Sequence, residues 1–229
     1  MIEVAIAMQG LIFDADGVII DMPHEDIWRQ VLQEQGVKHF TTQEYDELAS
    51  GIPRRQSVIN LLKHFGIAFD EELVERLYHR KQEITDNYID SGAIKFYEST
   101  IDFMFEAYGA VPLGLGSSSH NAGKILMKKI VKGASVYDLF NYAISGNVHP
   151  GKPDPKIYLL VAEGMSVDPQ GCIVFEDSVS GVRSAKGAGM YCVGLDRTGI
   201  QDKLLSAGAD LVVADINMIN LKNLEAYVK

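Results

Sequence analysis

Short apolar runs alternate with helical stretches through much of this chain, and that alternation restricts the fold more than any other feature. The first run is Gly10–Phe13, and similar runs follow at 111–116, 142–145, 172–175, 191–195 and 209–213. Strands that alternate with helices predict a mainly parallel sheet joined by right-handed crossovers. We therefore predict an α/β fold with a Rossmann-like, mainly parallel sheet core.

A long helical segment interrupts this alternation after the first strand. Apolar residues recur at helical spacing in three stripes, which begin near Ile27, Val58 and Leu73. We predict an inserted α-helical domain at 23–95 and a core domain made of 1–22 and 96–229. An insert at this point can act as a lid with hinges near Asp21 and Phe96.

The charge and cysteine content exclude several classes of function. Asp and Glu number 31 against 21 Lys and Arg, a net charge of -10, so neither nucleic acid nor an anionic membrane is an expected partner. No protein partner is predicted. Cys172 and Cys192 lie in apolar runs, as expected of reduced thiols in a cytoplasmic protein. The first residues lack the basic start of a signal peptide, and 1–7 are interpreted as a nonessential leader.

Two aspartates follow the first strand. Asp14 and Asp16 stand where the strand ends, and Gly17 permits a sharp turn there. Ligands of open α/β sheets bind at this carboxyl edge. Paired acids at such an edge can hold Mg²⁺ or divide the roles of nucleophile and proton donor. An acidic turn that caps a helix is the structural alternative.

Three further polar motifs follow later strands. Ser117, Ser118 and Ser119 follow an apolar run and could bind a phosphate oxygen; the glycines before them lack the third glycine of a dinucleotide-binding fingerprint. Lys152 lies in a Gly-Lys-Pro sequence, where Pro153 replaces the hydroxyl residue of an ATP-binding P-loop. A solvated surface lysine is the alternative for Lys152.

The third motif again places acids at the end of a strand. Glu176 and Asp177 follow the run at 172–175, where a helix cap is the structural alternative for Asp177. Capping does not explain why acids follow two strands of one chain. Zinc catalysis has no support, because the histidines do not form a zinc-binding motif.

In this order the motifs resemble the haloacid dehalogenase superfamily. They are FDADGV at 13–18, LGLGSSS at 113–119, GKPDP at 151–155 and VFEDSVSG at 174–181, and the insert resembles the small helical cap of the beta-phosphoglucomutase and sugar-phosphate phosphatase subgroup. The resemblance implies that Asp14 is the nucleophile and Asp16 the general acid and base. It also implies that Ser117 binds the phosphoryl group and Lys152 balances its charge. Mg²⁺ would be held by Asp14, the backbone carbonyl of Asp16 and Asp177, with Glu176 in or near its shell.

The same resemblance suggests residues that contact the substrate. The candidates are His24, Trp28, Gly51, Arg54, Lys81, Ser118, Ser119 and Asn121. Ordinary structural roles stay open for the helical domain: Trp28 as core, His24 as a helix start, Arg80 and Lys81 as a solvated helix face. Met22 and His120 depart from the family pattern, in which a hinge hydroxyl and a phosphate-binding lysine occupy these positions.

Three functions follow from the resemblance. The first is a Mg²⁺-dependent phosphatase that hydrolyses a small phosphorylated metabolite, a sugar phosphate, through an aspartyl-phosphate. The second is a beta-phosphoglucomutase-like phosphomutase, which returns the phosphoryl group to another hydroxyl. The third is a noncatalytic binding protein that keeps the fold, and the intact set of acids, Ser117 and Lys152 argues against it.

Overall fold

The chain divides into two compact units. The computed structural model describes residues 8–50, 52–146 and 148–224. One unit contains the described residues up to Asp21 together with those from Phe96 onward, and the other contains Met22–Lys95. The suggested leader, 1–7, lies outside the described residues. In the part of the chain that is described, no helix is both long and apolar enough to cross a membrane.

The strands and helices follow the predicted alternation. The strands are β1 (Gly10–Phe13), β2 (Ile20–Asp21), β3 (Lys95–Phe96), β4 (Leu113–Ser117), β5 (Ile130–Val131), β6 (Ala134–Ser135), β7 (Tyr142–Ser145), β8 (Cys172–Glu176), β9 (Tyr191–Leu195) and β10 (Leu211–Val213). The helices are α1 (His24–Gln33), α2 (Thr42–Leu48), α3 (Arg54–His64), α4 (Glu71–Ser91), α5 (Glu98–Ala107), α6 (Ala122–Lys128), α7 (Lys156–Met165), α8 (Val179–Gly187), α9 (Gln201–Ser206) and α10 (Leu221–Leu224).

Six of these strands form one parallel sheet, in the order β10-β9-β8-β1-β4-β7. The predicted α/β fold with a mainly parallel sheet is therefore confirmed. β1 lies at the centre, with β4 on one side and β8 on the other. From β1 the chain first adds β4 and β7 on one side and then adds β8, β9 and β10 on the other, so the strand order reverses at β1. Such a switch point leaves a crevice at the carboxyl ends of the central strands, where ligands bind.

The central strands are apolar because helices cover both of their faces. On one face Ile12 and Val174 pack against Val161 of α7 and Val182 of α8. On the other face the rings of Phe13 and Phe175 stack with centroids 4.8 Å apart. The sheet edge that follows these strands is thus held by a rigid core.

The unit Met22–Lys95 is built from α1–α4 around an apolar core of its own. Val31, Leu61 and Leu77 belong to that core, as the helical spacing predicts. Thr41 precedes α2 and forms a capping box with Glu44. The side chain of Asp70 accepts a hydrogen bond from the N–H of Leu73 at the start of α4. The caps supply partners for backbone groups that the first helical turn leaves unpaired.

Several boundaries differ from the prediction. β4 begins at Leu113 rather than 111 and extends to Ser117, and β8 extends to Glu176. β10 begins at Leu211 rather than 209. The apolar pattern does not reveal where ladder pairing ends, so it excludes the polar residues that end β4 and β8. It also gives no sign of the pairs of two-residue strands, β2 with β3 and β5 with β6.

Candidate active site

Three adjacent strands end in polar residues at one edge of the sheet. Asp14 directly follows β1, Ser117 ends β4, and Glu176 ends β8. All three residues are buried. The N–H of Asp14 donates to the carbonyl of Phe175 at 3.0 Å, so the ladder between β1 and β8 fixes Asp14 beside Glu176.

The Lys152 side chain joins the two acids. Its Nζ lies 2.7 Å from Asp14 Oδ1 and 2.6 Å from Glu176 Oε1, and the side chain is only 7% exposed. Burial by itself would lower the pKa of Lys152, but the charges of Asp14 and Glu176 raise it above its usual value. The alternative of a solvated surface lysine is therefore wrong: Lys152 is a buried cation between two carboxyl groups.

Glu176 is surrounded by hydrogen-bond donors. Oε1 accepts from Lys152 and from the hydroxyl of Tyr158, each at 2.6 Å. Oε2 accepts from the N–H groups of Asp177 and Ser178, each at 3.1 Å, and from the Ser178 hydroxyl at 3.0 Å. Burial opposes ionisation, but Lys152 and these hydrogen bonds lower the pKa of Glu176 below its usual value. Glu176 is thus a fixed anion.

The negative charges of the neighbouring acids, Asp14 and Asp177, are less well balanced by their surroundings than that of Glu176. Burial raises the pKa of Asp14 to about 7; Lys152 opposes the rise and the charge of Glu176 adds to it. Burial and then the charges of Glu176 and Asp14 raise the pKa of Asp177 well above its usual range. Asp16 is close enough to raise both values further.

This excess of negative charge fits a hard divalent cation. Asp14, Glu176 and Asp177 each offer a carboxylate oxygen, and these oxygens lie within 4.8 Å of one another. Carboxylate oxygens are the ligands that Mg²⁺ prefers, and a cation there would offset the repulsion that raises the two pKa values. The donor set thus agrees with the predicted Mg²⁺ site.

Gly17 makes room for one of these acids. Its φ of 79° lies in the left-handed region, and a Cβ at this position would stand 1.8 Å from Asp177 Oδ2. The turn after Asp16 can therefore pass beside Asp177 only with glycine at position 17.

We expect Gly17→Ala to lower both stability and Mg²⁺ affinity. The left-handed backbone should cost about 1–2 kcal/mol, and the new methyl group should displace the Asp177 carboxylate. Gly109→Ala is the matched control, since Gly109 has a φ of 82° and a Cβ there would meet nothing within 4 Å beyond its chain neighbours. Urea unfolding and Mg²⁺ titration of both variants measure the two effects. Equal stability losses with unchanged Mg²⁺ affinity would contradict this interpretation of Gly17.

The serine turn after β4 is held from the neighbouring strand. Ser117 Oγ accepts a hydrogen bond from the N–H of Ser119 at 3.2 Å. Ser145, paired with Ser117 in the ladder between β4 and β7, donates to the carbonyl of Ser119 at 2.6 Å. Ser145 Oγ also accepts from the N–H of Gly123 in α6 at 3.3 Å. The turn therefore has a fixed conformation.

A family model for haloacid dehalogenase-like hydrolases matches residues 8–189. The chain belongs to this family. The resemblance predicted from the four motifs is confirmed, and the chain is an enzyme of the phosphatase and phosphotransferase kind.

Relatives of this haloacid dehalogenase-like hydrolase fall in the predicted subgroup. It is 29% identical to the beta-phosphoglucomutase of Bacillus subtilis, over 94% of this chain and 93% of that one. It is 27% identical to a phosphorylated carbohydrates phosphatase of Thermotoga maritima, over 93% and 98%. The crystal structure of a beta-phosphoglucomutase from Clostridium difficile aligns over 96% of each chain at 26% identity, with a TM-score of 0.76.

Within this hydrolase, most of the predicted residues of the core domain lie where adjacent strands of the sheet end. Lys152 contacts both Asp14 and Glu176, and Asp177 completes the acidic cluster. Asp16 is half-buried in the turn after β1, where its backbone pairs with Ile20. Ser118 is exposed and Ser119 half-buried before α6, and Asn121 directly precedes that helix.

The candidates in the helical unit have local partners. Trp28 packs in the apolar core of that unit, with Lys81 Nζ 5.2 Å from its ring centroid. The Arg54 guanidinium lies 5.0 Å from the ring centroid of Tyr78. Lys81 is buried, so the alternative of a solvated helix face is wrong for it. The core position of Trp28 agrees with its structural alternative.

The remaining residues of the helical unit that the sequence singled out are Arg80, His24 and Gly51. Arg80 forms surface ion pairs with Glu34 and Glu83, as its alternative predicts. His24 is the first residue of α1. Gly51 lies outside the described residues.

Sequence reasoning missed Tyr158 and Ser145. Tyr158 lies on the apolar stripe of α7, between Ile157 and Val161. A tyrosine on a buried stripe needs a partner for its hydroxyl, so the pattern did contain a signal for Tyr158. Ser145 carried no comparable signal, because only the register of β4 and β7 reveals its contact with the serine turn.

Proposed function

We propose that this chain is a Mg²⁺-dependent phosphatase that hydrolyses a small phosphorylated metabolite, a sugar phosphate, through an aspartyl-phosphate on Asp14. The observation that carries the proposal is the contact of Lys152 with both Asp14 and Glu176 at the switch point of the sheet. A buried cation beside a carboxylate nucleophile is suited to a phosphoryl group, which brings negative charge to the site.

Asp14 and Asp177, with the backbone carbonyl of Asp16, would hold Mg²⁺. Both oxygens of Glu176 also accept hydrogen bonds from the protein, so we propose that Glu176 lies beside the shell of the ion and supports Asp177 and Lys152. When bound, the ion would neutralise part of the charge shared by the phosphoryl group and the nucleophile.

In the first step a carboxylate oxygen of Asp14 attacks phosphorus. The bond from phosphorus to the substrate oxygen breaks, and Asp16 gives that oxygen its proton. In the second step Asp16 takes a proton from water, and the hydroxide oxygen that this leaves attacks phosphorus. The bond between phosphorus and Asp14 breaks, which releases phosphate and restores the carboxylate. Lys152 stabilises the charge on Asp14 and the phosphoryl oxygens throughout, and Ser117 with the turn to Ser119 is proposed to bind those oxygens.

The helical unit is proposed to select the substrate. We propose that it acts as a cap whose contacts with the substrate include Arg54 and Lys81. Reduced Cys172 and Cys192, both buried, suit a cytoplasmic location for the reaction.

A phosphomutase is the second candidate, and the relationship to beta-phosphoglucomutases supports it. The chemistry at Asp14 is the same, but a sugar hydroxyl takes the place of water in the second step. Membership in an enzyme family argues against the third alternative, a noncatalytic binding protein.

Phosphate release from a panel of sugar phosphates, nucleotides and para-nitrophenyl phosphate, with Mg²⁺ and with excess EDTA, tests the proposal. We expect Mg²⁺-dependent release that favours a small sugar phosphate. Conversion of glucose 1-phosphate to glucose 6-phosphate without release of phosphate would replace the phosphatase with the mutase. Release that is unchanged in EDTA would contradict the metal requirement.

A further inference from the structure

Tyr158 contacts both Glu176 and Lys152. It is fully buried in α7, and its hydroxyl donates to Glu176 Oε1 at 2.6 Å. Its ring centroid lies 4.8 Å from Lys152 Nζ, within the range of a cation–π interaction. One side chain thus contacts the anion and the cation that flank the proposed nucleophile.

The position of the Tyr158 ring is fixed by its neighbours. A Cβ on Gly116 would stand 3.0 Å from Tyr158 Cε1, so the ring fills the space that the absent side chain leaves on β4. The hydroxyl faces a carboxylate oxygen at 2.6 Å, so it acts as the donor toward Glu176.

The orientation of Glu176 determines the orientation of the residues after it. Tyr158 and Lys152 hold Oε1, so that Oε2 faces the N–H groups of Asp177 and Ser178. Rotation of the Glu176 carboxylate would break both sets of hydrogen bonds. The backbone at Asp177, from which its carboxylate extends toward Gly17, therefore depends on the two donors to Oε1.

We propose that Tyr158 is a positioning residue for the metal site. Its hydroxyl fixes the carboxylate of Glu176, and through it the backbone and the carboxylate of Asp177, while its ring supports the Lys152 ammonium group. Because Asp14 and Asp177 are taken as the Mg²⁺ ligands, this role rests on the proposed function. Partners that orient metal ligands in this way typically change metal affinity or activity by about 10–100-fold when they are removed.

Tyr158→Phe removes the hydroxyl and keeps the ring. The matched control is Tyr142→Phe on the edge strand β7, because Tyr142 is 41% exposed and its ring lies against Gly164 of the same helix, α7. Mg²⁺ alone is titrated into metal-free protein by calorimetry, without any phosphate ester. We expect the Mg²⁺ dissociation constant to rise at least about tenfold in Tyr158→Phe and to stay unchanged in Tyr142→Phe.

A second pair of variants tests whether the effect acts through Glu176. In a Glu176→Gln background, Tyr158→Phe should produce no further loss of Mg²⁺ affinity, since residues that act as one unit are not additive. This pair also decides the question if Tyr158→Phe alone does not fold. Additive losses, or wild-type Mg²⁺ affinity in Tyr158→Phe, would overturn the proposal.

Turnover supplies a separate readout. With para-nitrophenyl phosphate at saturating Mg²⁺, Tyr158→Phe should lower kcat and leave KM unchanged, because the hydroxyl donates to Glu176 and is not among the proposed substrate contacts. A wild-type protein that binds Mg²⁺ but hydrolyses no ester would contradict the proposed phosphatase. The Mg²⁺ titration would still test the role of Tyr158.

Discussion

Lys152→Met is expected to abolish measurable turnover and to lower the free energy of unfolding by about 3–5 kcal/mol, the usual cost of removing one partner from a buried ion pair. The substitution keeps an unbranched side chain of nearly the same length and removes its charge. Asp14 and Glu176, both buried, would then face each other without the cation that now contacts both. Turnover should be lost because the same ammonium group is proposed to stabilise the transferred phosphoryl group.

The stability loss should depend on pH. Without Lys152, the pKa values of Asp14 and Glu176 in the folded protein should lie above their values in the unfolded chain. Ionisation of these groups then destabilises the fold, so the loss should be largest at neutral and alkaline pH and should shrink as the pH falls and the carboxyl groups bind protons. Urea unfolding in EDTA at several pH values measures this dependence.

Two further variants serve as controls for Lys152. Lys156→Met removes a surface ammonium group whose hydrogen bond goes to the carbonyl of His149, and it should change stability and turnover little. Glu176→Gln combined with Lys152→Met removes one of the two carboxylates that lose their cation, and it should restore part of the stability. A Lys152→Met protein as stable as the wild type at neutral pH would show that the three charges are not a buried network.

Asp14→Asn should lower kcat by at least about 1,000-fold, as expected when a nucleophile is removed from a site that otherwise stays intact. The amide cannot form an acyl phosphate, although it is nearly the same size as the carboxylate. Para-nitrophenyl phosphate hydrolysis at saturating Mg²⁺ measures the loss.

The fold should tolerate Asp14→Asn. Asp14 has a pKa raised to about 7 by burial and by Glu176, so its ionised form destabilises the metal-free fold. In EDTA above that pH, the variant should therefore unfold at a urea concentration no lower than that of the wild type. Retained turnover in a folded variant would show that Asp14 is not the nucleophile.

The sheet and the core of the site could be predicted because each depends on a local pattern. Buried parallel strands give apolar runs such as Gly10–Phe13, and residues that end adjacent strands must meet at one edge. Asp14, Ser117 and Glu176 could therefore be grouped before any contact was known. Lys152 required the order of all four motifs, because a single lysine in a loop has no distinguishing pattern.

Other features depend on distances that no local pattern contains. Tyr158 reaches Glu176 only because α7 packs on β4 beside Gly116, and Ser145 reaches Ser119 only through the register of β4 and β7. The partners of Lys81 and Arg54, Trp28 and Tyr78, are likewise set by helix packing. Residue types allowed a chemistry to be proposed for the site, whereas its supporting contacts are visible only in the tertiary structure.

Covalent capture of the phosphoryl group tests the proposed mechanism most directly. The protein is mixed with acetyl phosphate that carries radioactive phosphorus and is quenched in acid after one turnover, with Mg²⁺ or with EDTA. Asp16→Asn is included because it lacks the base for the second step and should accumulate the intermediate. We predict Mg²⁺-dependent labelling of the protein that hydroxylamine removes, as it does from an acyl phosphate, with more label in Asp16→Asn and none in Asp14→Asn. Label that resists hydroxylamine, or label that persists in Asp14→Asn, would contradict an aspartyl-phosphate at Asp14.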